Sequence, residues 1–352
     1  MRARLAVLAL LLAGCANDGI VRGRLHLGLA DAPEGQRLLW PQPPEVPRFA
    51  YTGTLTGEPN FRRDEAATSA LETFGRWLVG LDGRGRAPIV LQRPTSVVGD
   101  ERGRLYVSDA SRQAVFVFDA AAGELQVWEQ ADGALRFVAP SGLALAPDGG
   151  LYVADAELGA VVRLDAAGQP HGLIGRGRLL RPTGLARDAA GGRLYVADTT
   201  AHDIKVFDDA GALLQVIGRR GEAEGEFNYP THLAFSQGTL YVTDTLNHRV
   251  QAFDADGRVR RIGQRGLYVG NLVRPKGVAV DGEGNVYVVE SYYDSLLVFS
   301  AQGEFLLPIG GTGTATGRFY LPAGVWVDAK NRVHVADMFN GRIVLFQFLG
   351  GG

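Results

Sequence analysis

The sequence predicts an all-β chain: a six-bladed β-propeller of four-stranded antiparallel blades, closed by an N-terminal strand, with one N-terminal helix. Three observations predict it. A proline recurs at Pro94, Pro140, Pro182, Pro230, Pro275 and Pro322, at spacings of 46, 42, 48, 45 and 47 residues. An acid keeps step with it at Asp109, Asp155, Asp198, Asp244, Glu290 and Asp337, at 46, 43, 46, 46 and 47. Between and after these markers lie short apolar runs separated by turn residues, as in Tyr229 to Asp254, where Leu233–Phe235, Leu240–Thr243 and Arg249–Phe253 read as three strands. A fourth run follows in most copies, at Leu125–Trp128, Leu214–Gly218, Val259–Gly263 and Phe305–Gly310. A repeat of about 45 residues with four strands, none of which buries its own faces, is the pattern of a propeller blade.

The N-terminus carries an address. Arg2 and Arg4 precede the apolar run Leu5–Leu12, and Leu12-Ala13-Gly14-Cys15 follows. A charged start, a short apolar segment and small residues before a Cys mark residues 1–14 as a secretory signal, too short to span a bilayer. The string resembles the lipobox of bacterial lipoproteins, which implies that Cys15, the single cysteine, becomes the lipid-modified first residue of the mature chain. No intrachain disulfide is then available. Residues 15–47 are rich in proline and end in WPQPPEVP, so they read as an extended tether lifting the body off a membrane. Trp40 and Leu38–Leu39 are the residues there able to pack on the propeller.

The propeller proper is expected over 48–352, with repeats starting near 93, 139, 181, 229, 274 and 321. Arg48–Leu55 alternates like a strand. Asp64–Leu81 spaces Leu71, Phe74, Trp77, Leu78 and Leu81 at three and four residues, the stripe of an amphipathic helix. The sixth copy lacks a fourth strand before Gly350, and an unpaired edge invites aggregation. Arg48–Leu55 is therefore expected to supply it; Arg76–Leu81 is the lower-ranked donor because its apolar spacing is helical.

Bulk properties narrow the function. With 36 basic against 38 acidic residues the chain has no positive excess to hold a polyanion, so nucleic acid is not an expected partner. The 46% of hydrophobic residues, including 16 Phe, can fill a large core.

The stretches RPKGVAVDGEGNVYVVE, YPTHLAFSQGTLYVTDTLNHRVQAFD and LPAGVWVDAKNRVHVADMFNGRIVLF resemble NHL repeats, and the resemblance runs from about Arg93 to Phe348. The ending Asp-x-x-Asn-x-Arg survives at Asp244/Asn247/Arg249 and Asp337/Asn340/Arg342 and is degraded elsewhere, as in Glu290-Ser-Tyr-Tyr-Asp. The resemblance implies a six-bladed propeller and leaves function open, since one fold hosts many activities.

Ligands of propellers usually sit around the channel at the end where the inner strands start. Arg93, Arg181 and Arg274 precede the opening prolines of copies one, three and five, so they could ring that mouth and suit a carboxylate, phosphate or acidic sugar; they could equally be loop residues paired with the blade acids. His232 stands where the other copies carry Gly or Ser, and is placed to look into the channel. The six acids, present in every copy, are expected to cap the turn after strand two by accepting backbone N–H bonds.

Propellers similar to this one include a zinc-dependent amidating lyase and calcium-dependent lactonases. Zinc needs three protein ligands. Here His334 takes the slot of Tyr106, Tyr152, Tyr195, Tyr241 and Tyr287, His202 and His248 fall in turns, His171 precedes a fourth strand and His26 lies in the tether, so no set converges with His232. No catalytic residue and no metal ligand is assigned and no cofactor is expected, although calcium stays compatible with so many oxygen donors. The reading is a lipid-anchored, extracytoplasmic binding or scaffolding module on the periplasmic side, with the outer membrane favoured, for an envelope protein or a saccharide. The alternative is a metal-assisted lactonase or lyase.

Overall fold

A computed structural model of the chain describes residues 20–27, 38–62 and 87–350. Blade 1 consists of Pro94–Gly99, Arg104–Asp109, Ala114–Asp119 and Glu124–Trp128. Blades 2 to 5 repeat the plan with inner strands Pro140–Leu145, Pro182–Asp188, Pro230–Ser236 and Pro275–Val280 and outer strands Pro170–Ile174, Leu213–Ile217, Val259–Ile262 and Phe305–Gly310. Each inner strand packs on the next around the ring, and that of blade 6, Val325–Val327, returns to blade 1. Middle strands such as Ala114–Asp119 are almost continuously apolar because both of their faces are covered by neighbouring blades. Six apolar clusters result, one at each junction between consecutive blades.

The opening prolines cost nothing at the first residue of a strand, where no ladder donor is needed. In blades 1 to 5 each pairs with the blade acid, Pro94 with Asp109 and Pro230 with Asp244 among them, and the register slips immediately afterwards. This bulge re-aims the two residues after the proline.

Ring closure follows the expectation. Phe49–Leu55 pairs antiparallel with Arg342–Phe348, from Ile343 opposite Leu55 to Phe348 opposite Phe49, and is the fourth strand of blade 6. Phe49 and Leu55 are fully buried.

The tether is corrected for residues 20–27 and 38–47. Val21–Arg22 adds a fifth strand outside blade 1, opposite Leu125 and Glu124; Arg24–Leu25 pairs with Phe61–Arg62; Leu39–Trp40 pairs with Phe49–Ala50. Val21, Leu25, Leu27, Leu38 and Trp40 pack on the adjoining clusters, and Trp40 meets Phe346 edge-on at 5.3 Å. His26, expected in the tether, is held on the body through its backbone N–H to the Asn60 carbonyl. The signal segment, Cys15 and the expected helix over Asp64–Leu81, with the lower-ranked donor Arg76–Leu81, lie outside the described residues; the only helical pieces within them are single 3₁₀ turns. His171 lies inside the outer strand of blade 2 rather than ahead of it.

Candidate functional site

The six acids hold each blade to the loop that enters it. Asp109 accepts the N–H groups of Gln92 and Arg93 at 2.6 and 3.0 Å through one oxygen and those of Ser111 and Arg112 at 3.0 and 2.9 Å through the other. Asp155 and Glu290 repeat this arrangement with Val138, Ala139, Glu157 and Leu158, and with Val273, Arg274 and Tyr292. The acids thus bond the backbones of Arg93, Arg181 and Arg274, not their guanidinium groups. The Arg93 side chain lies over the Phe339 ring at 4.9 Å, and Arg181 pairs with Glu157 at 2.6 Å. Arg274 has no ion-pair partner among the described residues.

Where Asn and Arg survive in the motif they extend the clamp. Arg249 donates to Asp244 at 2.8 Å and to the Ala223 and Glu226 carbonyls; Arg342 donates to Asp337 at 2.7 Å and to Thr314, Ala315 and Arg318 carbonyls. Asn247 and Asn340 tie the same loops at Gly221 and Gly313.

The central channel holds a cavity of about 360 Å³. Its floor is the level of Ser96, Gly142, Gly184, His232 and Gly324, and it widens past Phe235 and Trp326 towards Arg187 and Ser236, where the inner strands end. Of the four predicted ligand residues, His232 lines it and Arg93, Arg181 and Arg274 do not. The cavity therefore belongs to the far half of the channel, not to the strand-start end. The cause is close backbone approach: a Cβ on Gly142, Gly184 or Gly324 would come within 2.3, 2.5 and 2.5 Å of the Thr183, Thr231 and Thr95 carbonyl oxygens of the following blade. Below that pinch, hydroxyls lace the blades together. Thr183 bonds Thr199 at 2.6 Å and the Thr231 carbonyl at 2.8 Å, and Thr231 bonds Thr245, which reaches the Pro275 carbonyl.

His232 is the chemically distinctive floor residue. Its Nδ1 is buried and has no hydrogen-bond partner. Burial, with the Lys276 ammonium nearby, pushes its pKa down to about 3, so the imidazole is neutral at physiological pH. Lys276, which sequence reasoning passed over, occupies the belt position held by Thr95, Ser141, Thr183 and Thr231 elsewhere; burial and then Arg274 lower its pKa. Its signal was legible as a Lys among hydroxyl residues in a chain with only three lysines.

The other histidines are structural. His334 is fully buried against Trp326, with ring centroids 4.9 Å apart, and burial brings its pKa down to about 4. His202 Nδ1 accepts the Tyr229 N–H at 3.2 Å, and His248 Nδ1 meets the Val273 carbonyl at 2.7 Å. His171 stands 3.5 Å from Asp165 on the outside.

The metal reading can be tested on the donor set. Calcium takes six to eight oxygen ligands, mostly carboxylate or carbonyl, and zinc about four N, S or O ligands. The cavity offers one imidazole and two serine hydroxyls with no carboxylate in its lining, and no group of three His, Cys, Asp or Glu suited to an ion occurs among the described residues. These residues do not fit either ion.

Comparison with known proteins places the chain more firmly. Residues 94–310 match the family model described as SMP-30/Gluconolactonase/LRE-like region, and residues 277–351 match one described as a 6-bladed beta-propeller. The curated Protein brain tumor of Drosophila melanogaster is 28% identical over 139 residues, 38% of this chain; the match spans only 13% of that protein's length. Among solved structures, a gluconolactonase from Xanthomonas campestris is similar at TM-score 0.56 and 21% identity, covering 75% of this chain and 90% of that one. Virginiamycin B lyase from Staphylococcus aureus is similar at 0.52 and 12%, over 73% and 96%. An auxiliary nutrient binding protein from Bacteroides thetaiotaomicron is similar at 0.59 and 12%, over 74% and 70%. At these identities the structures share the fold.

Proposed function

The chain belongs to the SMP-30/Gluconolactonase/LRE-like family, and from that premise we propose that it is a binding member of it: a propeller held outside the cytoplasm by a lipid on Cys15, whose channel cavity takes a saccharide. The observation that carries this reading is the cavity itself. Its volume suits one or two sugar rings, its lining includes the partly buried Trp326 and Phe235, and its polar side chains are the neutral His232, the hydroxyls of Ser96 and Ser236, and Arg187, which is paired with Asp209.

Family membership favours the second reading, a metal-assisted lactonase. The donor set argues against it, because no carboxylate faces the cavity. Titration calorimetry with a panel of neutral and acidic monosaccharides and disaccharides, with and without calcium, separates the two. Binding that is indifferent to calcium and lost in His232→Ala and Trp326→Ala supports the binding role; calcium-dependent opening of a sugar lactone above background overturns it. The anchor is tested by metabolic labelling with a fatty acid: labelling is expected in the natural chain and absent in Cys15→Ser, and equal labelling rejects the lipoprotein assignment.

A further inference from the structure

Three of the loops that enter a blade from its predecessor share one backbone. Residues 218–229, 263–274 and 310–321 each close a parallel bridge, Arg220 with Phe227, Arg265 with Leu272 and Thr312 with Phe319. Each has the same turn at its tip, in which the N–H groups of Glu226, Asn271 and Arg318 reach the Ala223, Tyr268 and Ala315 carbonyls. The tips themselves differ. Two are Glu222-Ala223-Glu224 and Thr314-Ala315-Thr316; the third is Leu267-Tyr268-Val269, whose side chains are 78%, 84% and 72% exposed.

This third loop is also the one without its clamp. The positions that carry Asn247 and Arg249 in blade 4 and Asn340 and Arg342 in blade 6 are Tyr293 and Ser295 in blade 5. In place of the guanidinium there is a cavity of about 230 Å³ beneath Leu267, Tyr268 and Val269, floored by Glu290, Tyr293 and Ser295. A single long bond from the Tyr293 hydroxyl to the Leu267 carbonyl, 3.4 Å, replaces the set made by Arg249 or Arg342.

We propose that this end of the molecule rests on an anionic phospholipid surface, with Leu267, Tyr268 and Val269 entering the headgroup region as a prong. Around the prong the same face exposes Tyr292, Tyr293, Tyr320 and Phe339, rings of the kind that settle at a membrane interface. Arg265 and Arg274 flank it with no acid partner among the described residues, which leaves them for phosphate. The N-terminus supplies the reason for choosing a bilayer over a protein. Val21–Arg22 runs antiparallel to the outer strand of blade 1, so the chain heads away from the strand-start side as it joins the far half of that strand, opposite Leu125 and Glu124. Five residue steps separate Cys15 from Ile20, a reach of at most about 18 Å. A lipid on Cys15 would therefore hold the body close to the membrane, and of its two ends the one with the apolar prong and unpaired cations suits that surface. The channel cavity then opens away from the bilayer. The orientation argument rests on the lipid-anchor reading; the prong does not.

The two are separated by comparing acylated mature protein with an unacylated chain that begins at residue 15 and carries Cys15→Ser. Tyr268→Trp is introduced in both, and vesicles of phosphatidylethanolamine with one quarter phosphatidylglycerol, with and without brominated acyl chains, are added. The introduced indole is expected to be quenched several-fold beyond the background of the natural tryptophans. The unacylated chain is expected to float with these vesicles and not with phosphatidylcholine. Leu267→Ser, Tyr268→Ser and Val269→Ser together should lower its bound fraction about tenfold while leaving thermal unfolding unchanged. Acylated protein that is fully vesicle-bound but shows no quenching overturns the docking and leaves the anchor standing. Quenching in the unacylated chain, with no fatty-acid label on the natural one, does the reverse. Flotation unaffected by the triple serine variant, with crosslinks from the loop to an envelope protein in cells, would reassign the prong to a protein and overturn the proposal.

Discussion

The two ends of the ring are made from the same blades and treat their arginines differently. At the end formed by the turns from strand one to two and three to four, Arg104, Arg163, Arg187, Arg260 and Arg332 are each held by an aspartate, at 2.7, 2.8, 2.7, 3.0 and 2.6 Å. At the strand-start end Arg93, Arg176, Arg178, Arg265 and Arg274 have no acid within ion-pair distance among the described residues, and exposed aromatic rings lie around two of them. The first end pairs these five, while its exposed Arg102, Arg193 and Arg258 have no ion-pair partner among the described residues. What sets the second end apart is apolar surface directed outward beside its free cations, which is how a surface built for something else to cover differs from one built to face water.

Within the strand-start end, the clamps of blades 4 and 6 are largely buried ion pairs, and breaking one should give the largest effect. Asp244 is fully buried and receives Asn228 N–H, Asn247, Arg249 and Gln251. Asp244→Ala leaves a buried guanidinium uncompensated and should cost about 3–5 kcal/mol in denaturant unfolding. The matched change at the other end, Asp328→Ala beside the half-exposed Arg332, should cost about 1 kcal/mol or less. Equal losses would erase the distinction drawn here.

Acid stability comes next. The depressed histidines bind protons in the unfolded chain at pH values where the folded chain refuses them, so their contribution is present above about pH 6.5 and is lost as pH falls towards about 4 for His334 and about 3 for His232. His334→Tyr, which installs the residue of the other five blades, should therefore recover roughly 3 kcal/mol of stability at pH 4 relative to pH 7. An acid-unfolding midpoint that does not move would show that the burial of His334 is not what makes the ring acid-sensitive.

A smaller effect is expected from adding the missing clamp. Burial holds the Glu290 carboxyl above the usual range, against the pull of three backbone N–H groups. A raised acid favours the folded state most at low pH, and that share is lost as pH rises through its folded value. Ser295→Arg would place a cation in the cavity beside it and should stabilise the protein at pH 7 by about 1 kcal/mol, with less loss as pH rises above the ordinary glutamate range. Destabilisation instead would mean that the blade 5 loop is shaped by its aromatic residues and not by the absent guanidinium.

Much of this was legible in the residues. Pro and acid keeping step six times fixed the blades, because each marks a turn that packing cannot move, and the missing last strand of copy six pointed to Arg48–Leu55. The added strand at Val21–Arg22 escaped notice because two paired residues leave no periodicity. The outer strand Pro170–Ile174 was seen only by its neighbour His171, since it is short and half polar. The side of the channel that holds the cavity was hidden as well: it depends on glycines of one blade touching the backbone of the next, and contacts between repeats leave no local pattern. Likewise the degraded motif in blade 5 was visible, but what it releases, a neighbouring loop, was not.

Closure by Phe49–Leu55 has a consequence for biogenesis. The strand precedes its partner, Arg342–Phe348, by five complete blades. No native-like circle can form on a nascent chain until blade 6 has been made, however many blades have already been assembled, and the slowest long-range search comes last. A polypeptide cut short before Arg342 would keep an unsealed flank on both its first and its final blade, and proteases could recognise it by that flank alone.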